Sequence, residues 1–162
     1  MELMESIQRE FGSLKKPTVK DLWKRLISLP NLSESVLPHL REPDQYAYGR
    51  NVIYRTEELE VIVMNFPARQ RTAIHDHGLS IGCGIVVEGK LINTLYSVIQ
   101  EGQVQPKGEQ RVSRGQCFFA PPGLIHGMEN RTEERLVTLH VYSPPLDNMK
   151  VYQQAKEANS LL

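Results

Sequence analysis

Residues 115–130 read GQCFFAPPGLIHGMEN, and the architecture follows from this stretch. It opens on the turn pair Arg114-Gly115, runs through the short apolar stretch Cys117–Ala120, breaks at Pro121-Pro122-Gly123 and then presents a histidine, His126. A strand-length run between two breakers is the signature of a short β-strand. The same rhythm recurs outward on both sides, in Asn51–Arg55, Leu59–Phe66, Gly82–Val87, Leu91–Val98 and Arg135–Tyr142, with further turns read at Glu88-Gly89-Lys90 and Gln105-Pro106-Lys107-Gly108. Strands so closely spaced, with no helices between them, predict an antiparallel sandwich or barrel rather than a βαβ sheet.

The first 40 residues have a different character. Thr18 followed by Asp21 forms an N-cap pattern, and Val19, Leu22, Trp23 and Leu26 recur at helical spacing until Pro30. A second short helix is expected over Ser33 to Leu40 and a weaker one over Met1 to Leu14, the set covering a sheet. The tail from Asn148 fits a strand or a short helix. One domain is expected over residues 1–162, with a helical cover over 1–42, a barrel over 45–150 and a tail over 151–162.

Composition narrows the partners. Nineteen basic residues balance nineteen acidic ones, so no net field favours nucleic acid or an anionic bilayer, and neither is expected as a partner. No run approaches the roughly 20 apolar residues of a membrane span. The start carries acids among its apolar residues, unlike a secretory leader, and the only two cysteines are Cys83 and Cys117, so the cytoplasm is expected. A monomer is the default expectation.

Four of the five histidines lie in the β-rich region: His75, His77, His126 and His140. His75 and His77, at i, i+2, share a face if the segment is a strand, which is ligand geometry. By itself the pair is either half of a metal site or part of a polar loop, and a third histidine from a distant strand would decide. In Thr138-Leu139-His140-Val141-Tyr142 three polar residues alternate with aliphatic ones, so hydroxyl, imidazole and phenol can hydrogen-bond in series along one face.

The pattern Gly115-x5-Pro121-x-Gly123-x2-His126-x3-Asn130 resembles the second motif of the cupin superfamily position for position. The first cupin motif is matched in part, by His75, His77 and Gly89, with Arg69 in place of its first glycine and Gly82 in place of its glutamate ligand. The resemblance implies a mainly β chain folded as a cupin, a double-stranded β-helix or jelly-roll barrel, behind an N-terminal helical segment. His126 is then the third ligand. Three neutral imidazoles leave a divalent metal its full charge and favour an anionic, chelating substrate such as a thiolate, although zinc hydrolases also use three histidines.

Four stretches together resemble cysteine dioxygenases of the shorter bacterial kind: Tyr48-Gly49-Arg50-Asn51, His75-Asp76-His77, His126-Gly127-Met128-Glu129-Asn130 and Leu139-His140-Val141-Tyr142-Ser143-Pro144-Pro145. The likeness covers roughly residues 45 to 150. It implies Fe(II) as cofactor on His75, His77 and His126, with L-cysteine and dioxygen as substrates and cysteine sulfinic acid as product. It makes Arg50 the guanidinium that holds the substrate carboxylate, a planar fork for a planar anion, with Tyr48 lining the pocket beside it. Tyr142 would place its hydroxyl near the substrate carboxylate and the oxygen, oriented by His140, with Thr138 where the family often has serine.

Departures from the family follow the same positions. Animal members carry at the position of Gly82 a cysteine crosslinked to the tyrosine, so Tyr142 is expected without a crosslink, and Cys83 points to the opposite face. Met149 stands where animal members have a cysteine near the pocket, and a cis bond is implied at Ser143-Pro144. The alternatives are a dioxygenase of another small thiol, such as 3-mercaptopropionate, whose enzymes typically carry glutamine at the position of Arg50, and a cupin that binds metal or effector without catalysis. Simpler roles are expected elsewhere: Cys117 and Trp23 in the core, His39 at the surface or in packing, Arg69 and Arg71 solvated, and Asp76 facing away from the ligand pair.

Overall fold

The computed structural model describes residues 2–156. Helices α1 (Leu3–Phe11), α2 (Val19–Leu26) and α3 (Leu32–Ser35) lead into a single 3-10 turn at Leu37–His39. Ten strands follow: β1 (Gly49–Arg55), β2 (Glu60–Phe66), β3 (Ile74–His75), β4 (Ile81–Glu88), β5 (Lys90–Gln100), β6 (Gln103–Ser113), β7 (Cys117–Ala120), β8 (Ile125–Glu129), β9 (Leu136–Ser143) and β10 (Val151–Gln154). They form one five-stranded sheet in the order β1-β2-β9-β4-β7 and a second, closed set in the order β10-β3-β8-β5-β6. The mainly β barrel with a helical N-terminal cover is the expected fold. Among the described residues no helix is long and apolar enough to cross a membrane.

The helices explain why β2 reads as a nearly unbroken apolar run. Along β2, Val61 and Val63 face the helices, while Ile62, Met64 and Phe66 face the barrel interior. Both faces are buried, so polar alternation is absent where a one-sided sheet would show it. Leu22 and Leu26 of α2, with Ile7 and Phe11 of α1, close the outer cluster against Val61, Cys83, Ile85, Leu139 and Val141. The α2 cap is reciprocal: the Asp21 amide donates to Thr18 Oγ1 at 3.1 Å, and the Thr18 amide donates to the Asp21 carboxylate at 2.8 Å. Trp23 is half-buried against the same cluster.

The structure differs from the sequence expectation in three places. The helix expected over Ser33 to Leu40 is split into α3 and the 3-10 turn, since Pro38 has no N–H to continue an α-helical ladder. The turn expected at Gln105–Gly108 lies inside β6; the chain reverses at Glu101-Gly102, where Gly102 takes φ 75°, and the proline and glycine sit at a register shift opposite Leu95 and Tyr96. Finally, the segment read as a tail begins with β10, which pairs antiparallel with β3 and parallel with β6, while residues 157–162 lie outside the described ones.

Candidate metal centre

Register brings the three histidines together. β3 and β8 pair antiparallel with His75 directly opposite His126, so their side chains share a face. His77 lies two residues past His75, beyond the end of the strand, and its ring centroid is 5.1 Å from that of His75 and 4.7 Å from that of His126. One nitrogen from each of the three lies within 4.8 Å of the others. No acidic or cysteine ligand joins this group among the described residues.

The surroundings set the imidazoles up as ligands. Burial, then the neighbouring imidazoles, hold His126 well below the ordinary histidine range, and burial with repulsion from His75 lowers His77 to about 3. Burial lowers His75 as well, so the neutral imidazole, with its lone pair available, is favoured at all three positions. The Nδ1 of His126 sits 2.7 Å from Asn93 Oδ1 and that of His75 sits 2.7 Å from the Ala73 carbonyl. Neither oxygen can donate, so each Nδ1 carries the proton and leaves Nε2 free. His126 Nε2 and both ring nitrogens of His77 are buried with no hydrogen-bond partner. Buried polar atoms left unpaired at one point are costly unless a cation completes them, so the donor set fits a divalent metal.

Strand β9 supplies the neighbouring chain of polar groups. Thr138 Oγ1 lies 2.7 Å from His140 Nε2, and His140 Nδ1 lies 3.1 Å from the Tyr142 hydroxyl, all within the buried interior. Burial drops His140 to about 3, and burial pushes the Tyr142 phenol up beyond its usual value, so both are neutral. The Tyr142 ring stacks on His77 at 5.1 Å. Two glycines of β4 make room here: a Cβ on Gly82 would fall 2.5 Å from Tyr142 Cδ1, and one on Gly84 would clash with the Phe118 ring that packs edge-on to His140. Cys83, between them, points outward into the helix-facing cluster, as alternation requires.

A cavity of about 430 Å³ opens beside the histidines, lined by Tyr48, Arg50, His75, His77 and Tyr142 and closed by Met149. Arg50 lies on β1, opposite Met64 of β2. Its guanidinium has neither carboxylate nor hydrogen-bond acceptor among the described residues, although the positive charge is half-buried. Tyr48 is stacked between Tyr46 and Phe66, with centroids 5.2 and 5.0 Å away. A larger groove of about 650 Å³ lies on the other side of β3, but Arg131 there is already held by Glu109 and Glu129.

The candidate site residues read from the sequence are thus brought to one region: His75, His77 and His126 at the centre, Arg50 and Tyr48 across the cavity, and Tyr142 on its wall with His140 and Thr138 buried in series behind it. Asn93, Tyr46 and Leu146 were not anticipated. A lone asparagine in the apolar run Leu91-Ile92-Asn93-Thr94-Leu95 was the available signal for the first. Arg69 pairs with Glu133 at 2.7 Å on the surface, whereas Arg71, expected as solvated, is exposed and also forms part of the cavity rim. The Ser143-Pro144 bond is cis.

A sequence profile of the cysteine dioxygenase type I family matches residues 37–155. The cysteine dioxygenase type 1 of Danio rerio is 29% identical over 118 residues, and that of Homo sapiens is 28% identical over 116. Each match covers 68% of this chain and 58% of the relative, so the chain spans somewhat over half the length of these proteins. Among solved structures, a protein with a double-stranded β-helix domain from Klebsiella pneumoniae subsp. pneumoniae MGH 78578 superposes with a TM-score of 0.61 at 21% identity, over 74% of this chain and 95% of that one. That likeness bears on the fold alone, and the fold is the cupin barrel.

Proposed function

The chain belongs to the cysteine dioxygenase type I family, and we propose that it oxidises L-cysteine with dioxygen to cysteine sulfinic acid at a mononuclear Fe(II) on His75, His77 and His126. The reaction is balanced without a reductant: sulfur loses four electrons, dioxygen gains them, and both oxygen atoms end on sulfur. Bound iron supplies the redox exchange between the thiolate and dioxygen. The observation that carries the reading is the unpaired Arg50 guanidinium sharing one cavity with His75 and His77, two members of the three-histidine cluster. A half-buried cation without a counter-ion calls for an anion, and a carboxylate matches its planar fork.

The remaining side chains orient and polarise. Arg50 holds the amino-acid carboxylate and so fixes where the thiolate and amine lie relative to the histidines. Along β9, Thr138 donates to His140 Nε2, His140 Nδ1–H donates to the Tyr142 oxygen, and the phenol proton is left free for the cavity. In that direction Thr138 and His140 each have an acceptor, and the free phenol proton of Tyr142 can steady negative charge as oxygen is reduced. Tyr48, backed by its aromatic stack, walls the carboxylate end. The enzyme acts as a cytoplasmic monomer on free cysteine.

The test is oxygen uptake by the Fe(II)-loaded protein with L-cysteine and with 3-mercaptopropionate, with products read by mass spectrometry. Cysteine-dependent uptake yielding the sulfinate, strongly weakened in Arg50→Ala, is the expected result. Preference for 3-mercaptopropionate overturns the role of Arg50, and no uptake with either thiol turns the reading toward a non-catalytic cupin.

A further inference from the structure

The third wall of the cavity is a strap, residues 144–152, that is poorly held by apolar contact. Leu146, Met149 and Val151 line the cavity from it, yet Met149 is 42% exposed and Val151 62% exposed. Leu146 packs against the inner apolar cluster, but burial as partial as that of Met149 and Val151 holds them weakly, and polar ties do the rest. At one end Ser80 Oγ donates to the Pro144 carbonyl at 2.7 Å, and the Leu146 amide donates to the buried Glu60 carboxylate at 2.8 Å.

The other end is tied by strand pairing and by one side chain in the ligand loop. The Asp76 carboxylate accepts from the Lys150 amide at 2.9 Å and from the Tyr152 hydroxyl at 2.9 Å, and also from the Gly78 amide at 3.0 Å in its own loop. Its backbone amide donates to the Lys150 carbonyl at 3.0 Å, which continues the pairing of Val151 with His75 and Tyr152 with Ile74. Loop and strap approach so closely that a Cβ on Gly78 would lie 2.5 Å from the Asp147 carbonyl oxygen.

We propose that Asp76 is a positioning residue that docks the 144–152 strap against the histidine loop, so that one carboxylate sets both the substrate pocket's third wall and the spacing of the flanking ligands His75 and His77. Asp76 faces away from the metal position and touches no substrate; it acts through Leu146, Met149 and Val151. This rests on the proposed thiol dioxygenase reading for its kinetic arm alone.

The experiment compares Asp76→Ala, Asp76→Asn and Tyr152→Phe with the wild-type Fe(II) protein by amide hydrogen exchange, Fe(II) affinity and steady-state kinetics with L-cysteine. Hydrogen bonds to a charged acceptor are each worth about a tenfold change or more in a local equilibrium. Asp76→Ala is expected to speed Lys150 amide exchange by about tenfold or more, to weaken Fe(II) binding and to raise KM more than it lowers kcat. Asp76→Asn keeps an acceptor for both backbone amides and is expected to restore most of the protection, while Tyr152→Phe gives a smaller change confined to 150–154. Unchanged exchange at Lys150 in Asp76→Ala, or faster exchange with unchanged KM, overturns the proposal. Should Asp76→Ala fail to fold, Tyr152→Phe decides it: faster exchange with raised KM supports it, and no change in either overturns it. If the wild type oxidises no cysteine, the functional reading falls, and the strap stands or falls on exchange and Fe(II) affinity.

Discussion

The two faces of β9 differ as sharply as two separate proteins. Toward the helices it presents Val137, Leu139 and Val141, all in the outer apolar cluster; toward the barrel it presents Thr138, His140 and Tyr142, linked by hydrogen bonds. Both faces are fully buried, so water does not distinguish them. What separates them is the pleat, which turns neighbouring residues in opposite directions and lets one strand hold the fold with one set of side chains and poise the chemistry with the other.

That division can be broken from the inside first. Replacing His126 with alanine removes a ligand and the anchor of Asn93, and oxygen uptake is expected to vanish while circular dichroism stays native. From the outside, Leu139→Ala is expected to cost about 2–5 kcal/mol in urea unfolding with kcat per folded molecule unchanged. A loss of kcat at unchanged stability would show that the faces are not independent.

Acid sharpens the contrast, because only the inner face titrates. His140 stays neutral when folded down to about 3, whereas in the unfolded chain it takes its proton near its ordinary value of 6.5. Between those limits the unfolded state binds the extra proton. Stability is therefore full above pH 6.5 and falls as pH drops toward 3, by up to about 1.4 kcal/mol per unit from this residue. Urea midpoints from pH 7 to 5 should fall less in His140→Phe than in the parent; equal slopes would remove His140 from the account.

Smaller effects probe the supports. Asn93→Ala is expected to weaken Fe(II) affinity about 10- to 100-fold by freeing the His126 ring and, by leaving buried polar partners unpaired, to cost about 1–3 kcal/mol in unfolding. Thr18→Ala, at the far side of the helix cover, should cost about 1 kcal/mol and leave metal binding and kcat untouched.

The sequence exposed one face of this division more readily than the other. Residues 115–130 and the His75-Asp76-His77 pair announced the barrel and the centre because turn residues and histidines stand at fixed spacings within short segments. The alternation in Thr138–Tyr142 announced the relay for the same reason. Asn93 was hidden since its meeting with His126 depends on the register of β5 against β8, which no local pattern encodes. Strand β6 was hidden by its composition: mostly exposed and interrupted by Pro106 and Gly108, it has no buried face to impose alternation and is held by pairing with β5. Asp76 was read correctly as turned away from the ligand pair, but the strap that meets it begins some seventy residues later.

The helical cover has a consequence for handling and evolving the protein. Because Val61, Val63, Cys83, Ile85, Leu139 and Val141 form a continuous greasy band beneath α1 and α2, shortening the chain to its barrel would not yield a smaller well-behaved protein. It would uncover a flat adhesive sheet, prone to stack with its own kind, so the first forty residues, which lie away from the three histidines, decide whether the barrel remains dispersed at all.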